Sequence, residues 1–387
     1  MARETAQTMA ATERASAPPD GTARTLRTRL AGVADLFAWP LRVSHYLELV
    51  NPLWSSHLLR ARVERVCDET HDARTLILRP GRGWRGHRAG QFVAVTVPID
   101  GTRHVRTYSI SSAPEHDRTS ECIAITVKAV PGGRVSNHLA RDLVPGAYVT
   151  LGVAQGEFVL PESRPVRPLF ITAGSGVTPV MGMLRSLAAR GALPDIVHIH
   201  YAPSARDVIF ADELARLAQD HPRYRLHLVY TRGAGGEQSP SHHFSPQELD
   251  ALCPDWQGRD GYACGPRGLL AALEEHWSGN GLARRLLVER FQAALADAPP
   301  DATGGRVRFA ASGIEVDADG ATCLLRVAEA SGLNPAHGCR MGICHSCTAT
   351  LVAGCVRDVR DNRLTSDPGT RVQICVSAAA GNCELEL

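Results

Sequence analysis

The run Leu169-Phe170-Ile171-Thr172-Ala173-Gly174-Ser175-Gly176-Val177-Thr178-Pro179 decides the fold. Its apolar start reads as a buried strand, its glycines as a tight turn, and Thr178 to Arg190, closed by Gly191, as a helix. The pattern then repeats outward. Strands are expected at Ile196 to Tyr201, Arg225 to Tyr230, Gly261 to Cys264 and Arg285 to Glu289. Helices are expected at Ala211 to Gln219, Pro246 to Leu252 and Arg267 to His276. Such alternation predicts a parallel sheet with helices on both faces. A glycine loop between strand and helix brings backbone close to a dinucleotide's pyrophosphate, although alone it could be only a tight turn. Cys264-Gly265-Pro266 closes a later strand of the same sheet. Ligands sit at strand carboxyl ends in such sheets, so both loops should line one crevice.

Upstream, six short apolar or alternating segments lie between residues 59 and 163, separated by Gly, Pro and Asp. They predict an antiparallel barrel or sandwich. One of them carries Arg106-Thr107-Tyr108-Ser109. A flavin needs a cation for its phosphates, an aromatic wall for its ring and a donor near N5, and this run offers all three. By itself such a run is weak, since Arg and Tyr in a strand are more often surface packing. It gains weight from Lys128 to Leu139, where a strand enters the Gly132-Gly133 turn and then a helix whose free N–H groups suit phosphate. Ser136 can add a hydroxyl there.

Downstream, residues 293–305 form a linker rich in Ala, Pro and Gly, and 306–387 read as a small α+β unit. That unit holds Gly338-Cys339-Arg340-Met341-Gly342-Ile343-Cys344-His345-Ser346-Cys347, a C-x4-C-x2-C loop, with Cys375 further on. This is the spacing of plant-type [2Fe–2S] ligands. Structural zinc is the competing reading, but zinc sites usually pair two short knuckles, and here the fourth cysteine stands alone. Cys355 and Cys383 fall outside the pattern and are expected as buried thiols, as are Cys67, Cys122, Cys253 and Cys323. His337 and His345 are expected to face solvent.

The 387 residues include 42 Lys and Arg against 40 Asp and Glu, so no strong field exists to hold nucleic acid. An odd total of 11 cysteines suits a reducing, cytoplasmic compartment. The longest uncharged stretch, 168–184, is too short and too rich in glycine to span a bilayer, so no transmembrane segment is expected. Residues 1–29 lack an apolar core and read as a disordered tail rather than a secretory signal. Residues 30–58 read as a helical lead-in.

R-x-Y-S, the GGxVSNxL turn, AGSGVTP and CGP in this order resemble the ferredoxin–NADP reductase superfamily, here followed by a plant-type ferredoxin domain. The lead-in Tyr46-Leu47-Glu48-Leu49-Val50-Asn51-Pro52-Leu53-Trp54 is similar to that of actinobacterial reductases serving membrane acyl-CoA desaturases. The resemblance implies three domains: a FAD-binding β-barrel (59–163), an NAD(P)-binding α/β domain (164–292) and a β-grasp [2Fe–2S] domain (306–387). Electrons would run from NADPH to FAD, then to the cluster, then to a separate oxygen-activating partner. A membrane desaturase is the expected partner, and it could hold the chain peripherally at the membrane. A soluble oxygenase, a hydroxylase or a cytochrome P450 is the alternative. A non-catalytic redox subunit or sensor is the rival of another class, and the intact AGSGVTP and CGP pair argues against it.

Residue by residue, the resemblance implies that Arg106 holds FAD phosphate, Tyr108 stacks on the ring, and Ser109 lies near N5. Gly133, Val135 and Ser136 would cradle the pyrophosphate, and Phe291 would cover the flavin. Gly174, Gly176, Thr178 and Pro179 would bind the nicotinamide nucleotide, with Cys264 and Gly265 beside the nicotinamide. Thr231 and Arg232, with Arg206 as another candidate, would select the 2′-phosphate. Ser109 and Cys264 are the expected catalytic pair, and Cys339, Cys344, Cys347 and Cys375 the metal ligands. Arg340, Arg357, Arg360 and Arg363 form a basic run suited to steer an acidic partner, with solvated surface charge the commoner explanation.

Overall fold

The computed structural model describes residues 43–115, 121–161, 167–191, 193–232, 243–291, 299, 302–338, 340–342 and 345–387. The expected tail, most of the linker, and Cys339 and Cys344 lie outside the described residues. The chain divides into two units, Met1–Ser56 and His57–Leu387. In the first, helix α1 (Val43–Val50) leads into a 3-10 turn, Pro52–Trp54. Asn51 caps that turn, its Oδ1 accepting from the Leu53 N–H at 3.0 Å. Leu47, Leu49 and Val50 are exposed.

The second unit holds three sheets. Strands β1 (Arg60–Thr70), β2 (Ala73–Pro80), β3 (Phe92–Ile99), β4 (Thr102–Ser109), β5 (Ile123–Lys128) and β6 (Tyr148–Leu151) pair antiparallel in the order β4-β3-β6-β1-β2-β5. Beyond the end of β4, Ile110 bridges to Ile125 of β5, the opposite edge strand. The sheet thereby closes, and of the two shapes expected the barrel forms. Its interior is filled by the inward set Val63, Leu76, Leu78, Val93, Val95, Ile125 and Val127. A short helix, α2 (Arg134–Asn137), follows β5 and continues as a wider turn to Asp142.

The middle sheet is parallel, with β7 (Pro168–Ala173), β8 (Ile196–Ala202), β9 (Tyr224–Tyr230), β10 (Asp260–Cys264) and β11 (Leu286–Glu289) ordered β11-β10-β7-β8-β9. Helices α3 (Val177–Ala189), α4 (Ala211–Asp220), α5 (Pro246–Leu252) and α6 (Arg267–Gly279) connect them. The strand order reverses between β7 and β10, so the two connections leaving their carboxyl ends diverge and open a crevice there. β8 is buried along its whole length, as a central strand covered on both faces must be. Its two histidines bond within the sheet, although His200 Nε2 is buried without a partner. Thr172 Oγ1 lies 2.8 Å from His198 Nε2 and 2.7 Å from His200 Nδ1, and His198 Nδ1 lies 2.8 Å from the Tyr224 hydroxyl. Burial pushes His200 down to about 4, so the chain of bonds is neutral and pins the strand end just before Gly174.

The last sheet is mixed, with β12 (Gly305–Phe309), β13 (Ile314–Ala318), β14 (Thr348–Asp358), β15 (Leu364–Thr365), β16 (Arg371–Gln373) and β17 (Ser377–Glu386). Its order is β13-β12-β17-β14-β15, with β16 on β14 and a parallel pair β12–β17 at the centre. Helix α7 (Leu324–Ala330) packs Leu324, Leu325, Val327 and Ala328 into its core. No helix among the described residues is long and apolar enough to cross a membrane.

Candidate functional site

β4 presents Arg106 and Tyr108 on one face, two residues apart, and turns Ser109 inward, 4% exposed. Tyr108 packs on the barrel core, and burial raises its phenol far above the usual range, so the ring is neutral. The Arg106 guanidinium donates from Nη1 to the carbonyl of Val105 at 2.7 Å and to that of Gly338, in the cysteine loop, at 3.4 Å. Flavin strand and cysteine loop are therefore in contact.

The turn after β5 is held by its own side chains. The Val130 N–H donates to Ser136 Oγ at 3.2 Å, that hydroxyl donates to the Gly133 carbonyl at 3.3 Å, and Asn137 Nδ2 reaches the carbonyls of Val130 and Gly133. A Cβ on Gly133 would lie 2.4 Å from Ser136 Oγ, so glycine is required. Ser136 thus shapes the turn, and Val135 is buried in the barrel core, which leaves the turn's backbone N–H groups and the exposed Arg134 side chain for an anion.

At the crevice the two expected loops touch. A Cβ on Gly176 would lie 2.0 Å from the Cys264 carbonyl oxygen, and one on Gly265 would lie 3.1 Å from Ala173 Cβ. Gly174 takes φ +52° to start the loop. Thr178 and Pro179 are buried in α3, and the Thr178 hydroxyl donates to the Ser175 carbonyl at 2.9 Å, so both shape the loop with their side chains. At the far edge the Thr231 and Arg232 N–H groups bond the carbonyls of Ala202 and Pro203, which sets Arg232 beside the loop that carries Arg206. Both arginines are exposed at the carboxyl end of the sheet.

In the sequence Glu289 marks only the end of an expected strand. In the parallel register Glu289 stands directly opposite Cys264. Burial pushes the Glu289 carboxyl up to about 7 and, with the Glu289 charge as a second cause, the Cys264 thiol well above its usual range. The crevice floor can thus hold a proton near neutral pH without a thiolate. The only signal in the sequence was the acid at the end of a strand expected to pair there. Phe291 follows β11 and is 40% exposed.

In the last sheet, Cys347 and Cys375 are buried and their sulfurs meet. The Cys375 thiol and the N–H groups of both residues stabilise the Cys347 thiolate and lower it to about 6, against a smaller opposing effect of burial. Thiolates backed by amide donors are the chemistry an iron–sulfur cluster needs, so the described half of the ligand set fits. The loop curls through positive φ at Arg340 (60°), Gly342 (74°) and His345 (55°). Gln373 Nε2 donates to the Gly342 carbonyl at 2.9 Å and braces it.

Three expectations need correction. Arg357 is buried, 4% exposed, with Nη1 on Asn362 Oδ1 at 2.5 Å and Nη2 on the Gly320 carbonyl, so it ties β14 to the turn before α7 and faces no partner. His337 does not face solvent: its side chain is 8% exposed and bonds Arg340 Nη2 and the Pro335 carbonyl. Cys67, Cys122, Cys323 and Cys355 are half-buried rather than buried, whereas Cys253 and Cys383 are buried.

Comparison with known proteins agrees in all three sheets. Family models match an oxidoreductase FAD-binding domain over 61–160, an oxidoreductase NAD-binding domain over 170–275 and a 2Fe-2S iron-sulfur cluster binding domain over 307–380. An NADPH oxidoreductase of Mycobacterium tuberculosis is 44% identical over 92% of each chain. The glycine betaine monooxygenase reductase subunit of Pseudomonas aeruginosa is 29% identical over 86% of this chain and 96% of its own. Among solved structures, phthalate dioxygenase reductase superposes with a TM-score of 0.60 at 24% identity, covering 86% of this chain and 98% of that one, a likeness of fold.

Proposed function

The chain belongs to the ferredoxin–NADP reductase family of flavoproteins, in the branch with a C-terminal [2Fe–2S] ferredoxin domain, and from that premise we propose that it draws electrons from NADPH for a separate oxygen-activating partner, a membrane acyl-CoA desaturase. It is an NAD(P)H-dependent oxidoreductase using FAD and a [2Fe–2S] cluster. When bound, these groups would supply the redox chemistry, FAD accepting a hydride from the nicotinamide and the cluster passing electrons on singly.

The residues supply placement. Gly174, Gly176 and Gly265 let the dinucleotide backbone lie against the sheet, and Tyr108 provides the flavin's aromatic wall. Ser109, Cys264 and Glu289 would supply neutral or protonated groups to the site, with the Cys264 thiol kept from ionising. Cys339, Cys344, Cys347 and Cys375 hold the cluster, and Arg206, Thr231 and Arg232 take the 2′-phosphate that distinguishes NADPH. The observation that carries the reading is the Arg106–Gly338 contact, which joins the flavin strand to the cysteine loop within one chain and so supports transfer between them.

The desaturase is supported by the lead-in alone. A soluble oxygenase is the second reading, favoured by the relative that serves a glycine betaine monooxygenase. Deletion of the gene followed by lipid and hydroxylation profiling separates them. Loss of double-bond formation, restored by adding the protein with NADPH to membranes, supports the desaturase. Intact desaturation with a lost hydroxylation replaces it with the oxygenase.

A further inference from the structure

Where the cysteine loop meets the barrel, basic side chains gather from three elements: His104 and Arg106 of β4, Arg134 of α2, and His337 and Arg340 of the loop. Arg106 Nη1 contacts the Gly338 carbonyl at 3.4 Å. His104 is held below its usual range first by burial and then by the charges of Arg134, Arg106, His337 and Arg340, so those four stand within electrostatic reach of His104. Like charges assembled across an interface repel unless an anion is built into it. Glu329 takes two donors of Arg340, from Nη1 at 3.0 Å and from Nη2. That bidentate grip fixes the guanidinium plane and leaves its third donor direction, Nε, buried with no partner. His104 Nε2 is likewise buried with no partner, two residues from Arg106 on the same strand face. Two buried polar atoms without partners thus lie on the two elements that meet at this junction. A buried polar group without a partner is costly, so a bound group that pairs with it is favoured.

Building on the flavin reading above, we infer that the cysteine loop completes the flavin site: Arg340, oriented by Glu329, and His104 hold the flavin nucleotide's phosphates together with the Gly133 turn. The ligand chemistry is a diphosphate ester on a ring held by Tyr108. By linkage, the flavin that needs Arg340 for its phosphates also fastens the cluster-bearing domain to the barrel. Arg340 is therefore a binding residue for the flavin as well as a neighbour of a cluster ligand.

The test uses full-length protein stripped of flavin and titrated separately with FAD and with riboflavin, which has the ring but no phosphate. Binding is followed by quenching of flavin fluorescence, beside iron content per chain. For Arg340→Gln the ratio of FAD to riboflavin affinity should fall about tenfold or more, the weight of one charge-assisted hydrogen bond. Arg340→Lys should recover part of it. His104→Gln, remote from the cluster ligands in sequence, should lower the same ratio severalfold with iron unchanged. An unchanged ratio overturns the inference, whether both affinities hold or both fall together, because a loop that is merely disturbed loses ring and phosphate binding alike. Reduction of the FAD-loaded wild type by NADPH is a separate measurement, so failure of the family reading would be seen independently.

Discussion

Arg185 Nη1 donates to the carbonyl of Ser111 at 2.7 Å, and through that bond the helix that opens at the nucleotide loop grips the strand end that carries Ser109. The same guanidinium holds both oxygens of Glu213, at 2.8 and 2.5 Å, and lies over Phe210. Beside it a Cβ on Gly182 would stand 2.6 Å from the Ile110 carbonyl, so helix and barrel are in backbone contact. Hydride transfer is steep in distance, and this joint sets where the two halves of the crevice lie.

Arg185→Ala therefore should slow reduction of bound flavin by NADPH about tenfold, a misplacement effect, while FAD and iron contents stay at wild-type levels. Stopped-flow absorbance reads it. A variant that reduces its flavin at the wild-type rate would show that the joint is not what sets the geometry.

Glu289 gives a pH signature. Its folded pKa of about 7 lies above the ordinary 4.5, so between those values the native state holds a proton that the unfolded state has released. Stability must then fall as pH rises through this window, by up to about 3 kcal/mol. Glu289→Gln cannot ionise and should lose less stability than wild type between pH 5 and pH 8, measured by urea denaturation at each pH. Parallel pH profiles for the two proteins would contradict the buried carboxyl.

The cluster ligands predict a clean separation of cofactors. Cys375→Ser removes the partner sulfur of Cys347 from a core distinct from the barrel. Iron should drop from about two per chain to near zero with FAD still bound and still reducible by NADPH. Zinc in place of iron in the wild type, with no reducible chromophore, would overturn the ligand assignment.

The proposed 2′-phosphate grip uses exposed side chains, Arg232 and Arg206. Arg232→Ala should raise the KM for NADPH about tenfold and leave that for NADH and kcat nearly unchanged, since one guanidinium grip on the 2′-phosphate is lost. Arg206→Ala should do the same more weakly. Equal use of both nucleotides by the wild type would remove the premise.

Element types were legible because each sheet announces its period: near-continuous apolar runs in β7 and β8, and short segments cut by glycine and proline in the barrel. Contacts between distant segments were not. Glu289 meets Cys264 only through a parallel pairing with β10 that no local pattern reveals. Arg357 was misread for a related reason. Register shifts between Leu351 and Ala353 and between Gly354 and Val356 break the alternation of β14, so Val356 and Arg357 are both buried although they are neighbours. Ser136 was read as a donor to a ligand, but a hydroxyl three residues after a glycine finds the turn's own backbone first.

The corrected arginine set yields the last prediction. Arg360 is exposed yet held by Asp358, with Nε on Oδ1 at 3.0 Å and Nη2 on Oδ2 at 2.6 Å, so much of its charge is spent locally. Arg363 and Arg371 are exposed and line, with His345 and Gln373, a cleft of about 460 Å³ beside the cysteine loop. His345 follows Cys344 directly, and Gln373 is bonded to the loop at Gly342. An acidic partner seated there would lie near the cluster. Arg363→Glu with Arg371→Glu should therefore slow electron delivery to the oxygen-activating partner severalfold at low salt, and the deficit should shrink as ionic strength rises. Flavin reduction by NADPH in the same variant should be unchanged, since neither residue is near the nucleotide crevice. Arg357→Glu tests the correction itself. It buries a carboxylate against the Gly320 carbonyl and should destabilise the ferredoxin domain and deplete its iron at every salt concentration, as a desolvated, repelled charge must. A folded, iron-replete Arg357→Glu protein whose only defect is salt-sensitive delivery would return that residue to the docking face.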